Sequence, residues 1–209
     1  MNARPNPDEP ALPNAPDAEK RIPSSIRPRL AAALARHAPR KRRALGTPAS
    51  VLALLVDRDG EAHVWLTVRP AGMRKHGGQV ALPGGKRDES DATPLDAALR
   101  ETEEELGFPS ARIEVHGHLD DVVTTTGYVV SPFVGWLDGD APPRPNPHEI
   151  ERTILAPLAP FVFERPRAQL LRGRGITRIA PSWVVEGELV WGATARILGR
   201  LAEVVRTVL

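Results

Sequence analysis

Hydrophobic positions along the chain change their spacing several times, and each change marks an element. Ala49 to Val56 is an unbroken run rich in leucine and β-branched residues. After the turn Asp57-Arg58-Asp59-Gly60, the stretch Ala62 to Arg69 alternates, so the two predict a β-hairpin. From about Pro94 to Leu106, Leu95, Leu99, Thr102 and Leu106 recur at helical spacing, and Gly107 follows where a left-handed cap is expected. Strands are predicted at Ile113 to Leu119, Tyr128 to Leu137 and Glu151 to Leu155, and a hairpin at Trp183 to Trp191 around Glu186-Gly187. Thr194 to Val208 is an amphipathic helix, with Ile197, Leu198, Leu201, Val204 and Val205 on its apolar face. Near the start, Ser24 and Ser25 are candidate caps for a short helix with Pro28 in its first turn and Leu30 and Leu34 on one side, packed at the domain's edge. The glycine-rich stretch Gly77 to Gly85 and the proline-rich Ala141 to Pro147 are loops. Hairpins first, then strands alternating with helices, predict an α/β domain with a mixed sheet flanked by helices.

Met1 to Pro23 has almost no large apolar side chain to offset the entropy of ordering it, so it reads as a flexible Pro-rich tail before one domain over residues 24–209. No apolar run approaches the roughly 20 residues of a membrane span. No membrane partner is expected, and with no apolar core for a secretory signal the expected location is cytoplasmic. The chain has no cysteine, so any metal must be held by oxygen or imidazole ligands, which favours hard cations. A net charge of +2 conceals two basic clusters: Arg40 to Arg43, and Arg69, Arg74, Lys75 and Lys86. The first reads as a solvated linker, and no nucleic-acid partner is expected. His76, His116, His118 and His148 lack the spacing of a zinc site; alternation places His116 and His118 on the same side of a strand.

Chemistry concentrates in the helix before Gly107. Leu95, Leu99, Thr102 and Leu106 form a stripe that faces the core, while Glu101, Glu104 and Glu105 share one flank, with Glu105 about 40° and Glu104 about 60° from Glu101 on its two sides. Like charges at this spacing repel, and carboxylates near a helix C-terminus meet the negative end of the macrodipole. A divalent cation between Glu101 and Glu105 would remove both penalties, and oxygen ligands suit Mg²⁺ or Mn²⁺. A solvated acidic face with Arg100 neutralising Glu104 is the bland alternative. Upstream, Leu82-Pro83-Gly84-Gly85-Lys86 can bring bare backbone close to a ligand.

Together, Gly85 and Arg100-Glu101-Thr102-Glu103-Glu104-Glu105-Leu106-Gly107-Phe108 resemble the Nudix box, with Thr102 in a usually aliphatic position. The spacer between Gly85 and Arg100 is one residue longer than the pattern, so the family's first acidic position falls on Asp91 counted forward or on Ala92 counted back. The longer spacer, with Leu66-Thr67-Val68-Arg69, Arg74, Gly78 and Leu82 to Gly85 before it, is similar to the Nudix subgroup that hydrolyses coenzyme A. Thr126 to Pro132, Asn146 to Ile150 and Trp191 to Ala195 also look like that subgroup.

The resemblance implies the Nudix α/β/α sandwich and a metal-dependent pyrophosphohydrolase. Its substrate would be a small-molecule diphosphate, coenzyme A or a derivative, giving 4′-phosphopantetheine and adenosine 3′,5′-bisphosphate. It implies Mg²⁺ or Mn²⁺ held by Glu101, Glu105, Glu104 and the Gly85 carbonyl, with Glu104, Glu101 and Arg100 serving catalysis. Arg69, Arg74 and Lys75 would bind substrate phosphates, and Arg74 is the candidate reader of the 3′-phosphate. Glu149 and Glu151 stand where some members of the family recruit a further ligand or base. The alternatives are a Nudix hydrolase for another nucleoside diphosphate derivative and a non-catalytic, nucleotide-sensing Nudix domain.

Overall fold

The computed structural model describes residues 20–42, 46–72, 77–139, 141–173 and 176–209. A 3₁₀ turn, Ser24–Ile26, leads into helix α1, Arg27–Arg36. Neither serine caps it, because Pro23 and Ile26 hold the two N-cap positions without a side-chain bond. Ile26, Leu30 and Leu34 are buried in the main core, so α1 is not the edge helix expected. Packing also includes a residue before the expected boundary after Pro23: Ile22 is 1% exposed, and its carbonyl accepts a hydrogen bond from Ala62 N–H at 2.8 Å.

Strands β1 (Thr47–Arg58) and β2 (Glu61–Val68) form the expected hairpin. Positive φ angles at Asp59 (54°) and Gly60 (81°) match the turn geometry that suits the twist of paired strands. Short strands β3 (Val80–Ala81) and β4 (Gly84–Lys86) pair with β2 and β1 respectively. Helix α2 spans Pro94–Leu106. Strands β5 (Ile113–His118), β6 (Val122–Val123) and β7 (Tyr128–Leu137) follow, and β7 runs parallel to β1 from Thr47 opposite Tyr128 to Leu55 opposite Trp136. β8 (Arg152–Pro157) is antiparallel to β2. The central order β3-β2-β1-β7-β5 therefore makes a mixed sheet. Helix α3 (Ala159–Phe163), a second sheet of β9 (Arg167–Gly173), β10 (Ile176–Val185) and β11 (Glu188–Val190), and helix α4 (Gly192–Arg206) complete the chain.

The unbroken hydrophobicity of β1 follows from burial on both faces. Leu52, Leu54 and Val56 pack with Ala98, Leu106 and Phe108 on the α2 side, whereas Ala53 and Leu55 join Leu30, Leu34, Leu198 and Leu201 on the α1 and α4 side. This is the α/β/α arrangement. A bulge in β5 between Val115 and Gly117 breaks its alternation. His116 consequently lies against Trp136 and His118 stacks on Phe133, which belong to opposite faces of β7, so the two imidazoles do not share a side. Among the described residues no helix is long and apolar enough to cross a membrane.

Candidate active site

The site is built where β4 meets α2. Antiparallel pairing sets Gly84 opposite Val51 and Gly85 opposite Ser50. Gly84 has φ 144°, and a Cβ there would lie 2.3 Å from the Ser50 carbonyl oxygen, so only glycine fits. At Gly85 a Cβ would fall 2.4–2.5 Å from the Glu101 carboxylate carbon and oxygens. The missing side chain is what lets Glu101 lie against bare backbone.

Glu105 is reached from the same turn: its Oε2 accepts from Gly84 N–H at 3.0 Å, and Arg69 stands 3.6 Å from its Oε1. Its side chain is almost wholly buried, which corrects the stripe drawn from the sequence. Ala97, Ala98, Thr102, Glu105 and Leu106 form the buried face of α2, with Leu95 and Leu99 only half-buried. Thr102 occupies its usually aliphatic position because its hydroxyl donates to the Ala98 carbonyl at 2.7 Å. Burial pushes the Glu105 carboxyl up to about 7; the Gly84 N–H and Arg69 oppose this, and the charges of Glu101 and Glu149 reinforce it. Burial also raises Glu101, with Arg100 opposing and Glu104 and Glu149 adding to the rise. Both carboxyls are thus disfavoured as anions chiefly by burial, with mutual repulsion adding to it.

Arg100 organises the other side. Its Nε and a terminal nitrogen each lie 3.0 Å from an oxygen of Asp91, its second terminal nitrogen donates to Glu104 at 2.9 Å, and it also reaches Glu101 at 3.1 Å and the Lys86 carbonyl at 3.3 Å. Asp91 is buried, and its hydrogen bond with Arg100 holds it below the usual carboxylate range. It also accepts from Asp88 N–H at 2.8 Å. The residue reached by the forward count from Gly85 is thus a buried carboxylate bound to Arg100. Asp91 was not among the expected site residues, although that count was its signal.

The structure brings Glu101 and Glu105 to the Gly84-Gly85 turn and leaves Glu104 exposed beside Arg100, the i,i+4 pairing of the bland alternative. Among the described residues no three histidines or carboxylates converge to hold a metal by themselves. Glu101, Glu105 and the Gly85 backbone fit as a partial oxygen donor set, which suits Mg²⁺ because that ion keeps several waters and takes phosphate oxygens from its substrate. Arg74, Lys75 and His76 lie outside the described residues. Glu149 bears on both buried carboxylates through its charge. Glu151 does structural work: its Oε2 accepts from Ala71 N–H at 3.1 Å, and its own N–H donates to the Val68 carbonyl at 2.9 Å.

A glycine turn on a mixed sheet, facing a helix of carboxylates, has counterparts among known proteins. The NUDIX domain family model matches residues 46–170, and the chain belongs to the Nudix family. It is 41% identical over 156 residues to the Nudix hydrolase NudL of Escherichia coli K12, an alignment covering 74% of this chain and 80% of that one. A MutT/nudix family protein from Enterococcus faecalis superposes with a TM-score of 0.51 at 16% identity, covering 88% of this chain and 70% of that one. The Nudix hydrolase RenU of Mycobacterium smegmatis gives 0.47 at 27% identity, covering 55% and 72%.

Proposed function

We propose that this Nudix hydrolase cleaves the diphosphate of coenzyme A or a derivative in the presence of Mg²⁺ or Mn²⁺. The observation that carries the reading is Arg69 standing 3.6 Å from Glu105, which joins the arginine motif before the glycine loop to the carboxylate helix in one site. Glu101, Glu105 and the Gly85 carbonyl would hold the metal. When bound, the ion supplies charge neutralisation and a more acidic coordinated water.

The chain's own groups do the rest. Asp91 fixes Arg100, and Arg100 fixes the carboxylates of Glu101 and Glu104. Glu104, the exposed member, accepts the proton of the attacking water. Arg69, Arg74 and Lys75 neutralise the substrate's phosphates, which no diphosphate site can leave unpaired. The oxygen of water joins one phosphorus, the bridging P–O bond breaks, and coenzyme A leaves as 4′-phosphopantetheine and adenosine 3′,5′-bisphosphate.

A nucleotide-sensing domain without activity would have no use for Glu101, Glu104 and Glu105 together. The test is to incubate the purified protein with Mg²⁺ or Mn²⁺ and coenzyme A, ADP-ribose, a dinucleoside polyphosphate or a nucleotide sugar. The highest kcat/KM on coenzyme A is expected; efficient cleavage of another diphosphate with coenzyme A intact would overturn the substrate assignment and leave the hydrolase.

A further inference from the structure

Of the basic run Arg40 to Arg43, expected to be a solvated linker, Arg43 lies outside the described residues and Arg40-Lys41-Arg42 is pinned. Arg40 N–H donates to Asp120 Oδ1 at 2.9 Å, Asp121 N–H to the Arg40 carbonyl at 3.1 Å, and Arg42 N–H to Asp121 Oδ2 at 2.8 Å. His37 stands 3.2 Å from Asp120, and Arg200 of α4 donates to the Asp120 and Asp121 carbonyls at 2.6 and 3.1 Å. Two consecutive aspartates thus clamp the main chain of the run. The side chains of Lys41 and Arg42 remain exposed, and among the described residues neither has an ionic partner. Adjacent cations held on a fixed backbone repel each other, and a bound anion relieves that repulsion with little ordering left to do.

The location gives these cations a use. Asp121 Oδ1 accepts from Ser131 Oγ at 3.0 Å; Ser131 lies opposite Ser50 across β1 and β7, and Ser50 lies opposite Gly85 across β1 and β4. Val122 of β6 lies opposite Val130 of β7, so Asp121 stands one strand beyond Ser131 and the run beyond Asp121; three to four strand spacings, roughly 15–20 Å, therefore separate the run from the glycine turn. The Asp121 carboxylate, like Ser131 and Ser50, is on the α2 side of the sheet, and the run lies at the sheet's edge, where Arg200 of α4 also holds the Asp120 and Asp121 carbonyls. His118 stacks on Phe133 there at 4.7 Å between centroids, and the Lys41 charge, after burial, helps hold that imidazole below its usual range. Leu52, Leu54 and Leu137 are fully covered on this side and Ser50 is buried, whereas Ser131, Phe133 and His118, beside the run, are only half-buried.

We propose that Lys41 and Arg42 form a second anion subsite, which binds a phosphate of the substrate remote from the diphosphate that is cleaved. Resting on the coenzyme A reading, that group is the 3′-phosphate, and Arg74 then serves the shared diphosphate.

Calorimetric binding of adenosine 3′,5′-bisphosphate and of adenosine 5′-monophosphate, without metal, tests the subsite apart from catalysis. The unmodified protein should prefer the bisphosphate about tenfold or more, and Lys41→Gln/Arg42→Gln should erase the preference at unchanged melting temperature. On coenzyme A the double variant should raise KM at constant kcat, while 3′-dephospho-coenzyme A hardly changes. Absence of the preference in the unmodified protein, its survival in the double variant, or its loss in Arg74→Ala instead would overturn the proposal. A chain that leaves coenzyme A uncleaved yet keeps the Lys41/Arg42-dependent preference would sink the substrate assignment and uphold the subsite.

Discussion

Glu105 is a carboxylate set where a core residue would otherwise stand, and its titration records the cost. Its folded-state value of about 7 lies above the ordinary 4.5, so folding favours the protonated form. The associated stability is fully present below pH 4.5 and is lost as pH rises through about 7, to the extent of ~3 kcal/mol. The metal-free protein should therefore melt at lower temperature at about pH 8 than at about pH 5, and Mg²⁺ should restore more stability at the higher pH. Glu105→Gln should flatten this profile, raise the metal-free melting temperature at pH 8 and abolish most turnover. A melting temperature indifferent to pH in the unmodified protein would contradict the burial argument. At Gly85 the prediction is steric: Gly85→Ala places a methyl 2.4 Å from the Glu101 carboxylate and should reduce kcat about a hundredfold through misplacement, with the fold intact by circular dichroism.

At the scale of the element, α2 could be read almost completely from the sequence because its signals are local. Thr93 and Asp96 make a reciprocal capping box, with Asp96 N–H donating to Thr93 Oγ1 at 3.2 Å and Thr93 N–H to Asp96 Oδ2 at 2.8 Å, and Gly107 closes the helix at φ 72°. Thr93→Ala should cost about 1 kcal/mol, read as a lower melting temperature. Which of three neighbouring glutamates enters the core was not legible, because a helical wheel fixes relative angles and only the β4 turn decides which flank it touches. The same limit hid Asp91 behind an ambiguous spacer. Asp91→Asn should loosen Arg100 and lower kcat about tenfold at similar KM, whereas equal activity would show that Arg100 holds its place without that partner. α3 has five residues and β6 only two, too few to establish a period, and the bulge at His116 is a departure from alternation that alternation cannot foretell. The hairpin β1–β2, β7 and α4 carried enough turns or repeats to be found.

For the whole molecule, the sandwich depends on residues ahead of the family's matched region. Ile22, Ile26 and Leu30 are buried with α4 residues Leu198 and Leu201 in one core, so the N-terminal segment helps close the face of the sheet opposite α2. Removing residues 1–20 should leave melting temperature and activity unchanged, while removal through Ile26 should lower the melting temperature by several degrees, since each large buried side chain contributes about 1.5–3 kcal/mol. The composition and the absence of cysteine restricted the chemistry to hard ligands. The fold then brought Arg69, the Gly84-Gly85 turn and Glu101 and Glu105 together from segments far apart in sequence.

The central claim is metal-dependent attack of water on the diphosphate of coenzyme A, and hydrolysis in ¹⁸O-labelled water with Mg²⁺, with products weighed by mass spectrometry, tests it most directly. The expected products are 4′-phosphopantetheine and adenosine 3′,5′-bisphosphate, one of them carrying a single ¹⁸O on phosphate, with none formed in the presence of a chelator or with Glu105→Gln. Intact coenzyme A, or cleavage that persists without a divalent cation, would contradict it.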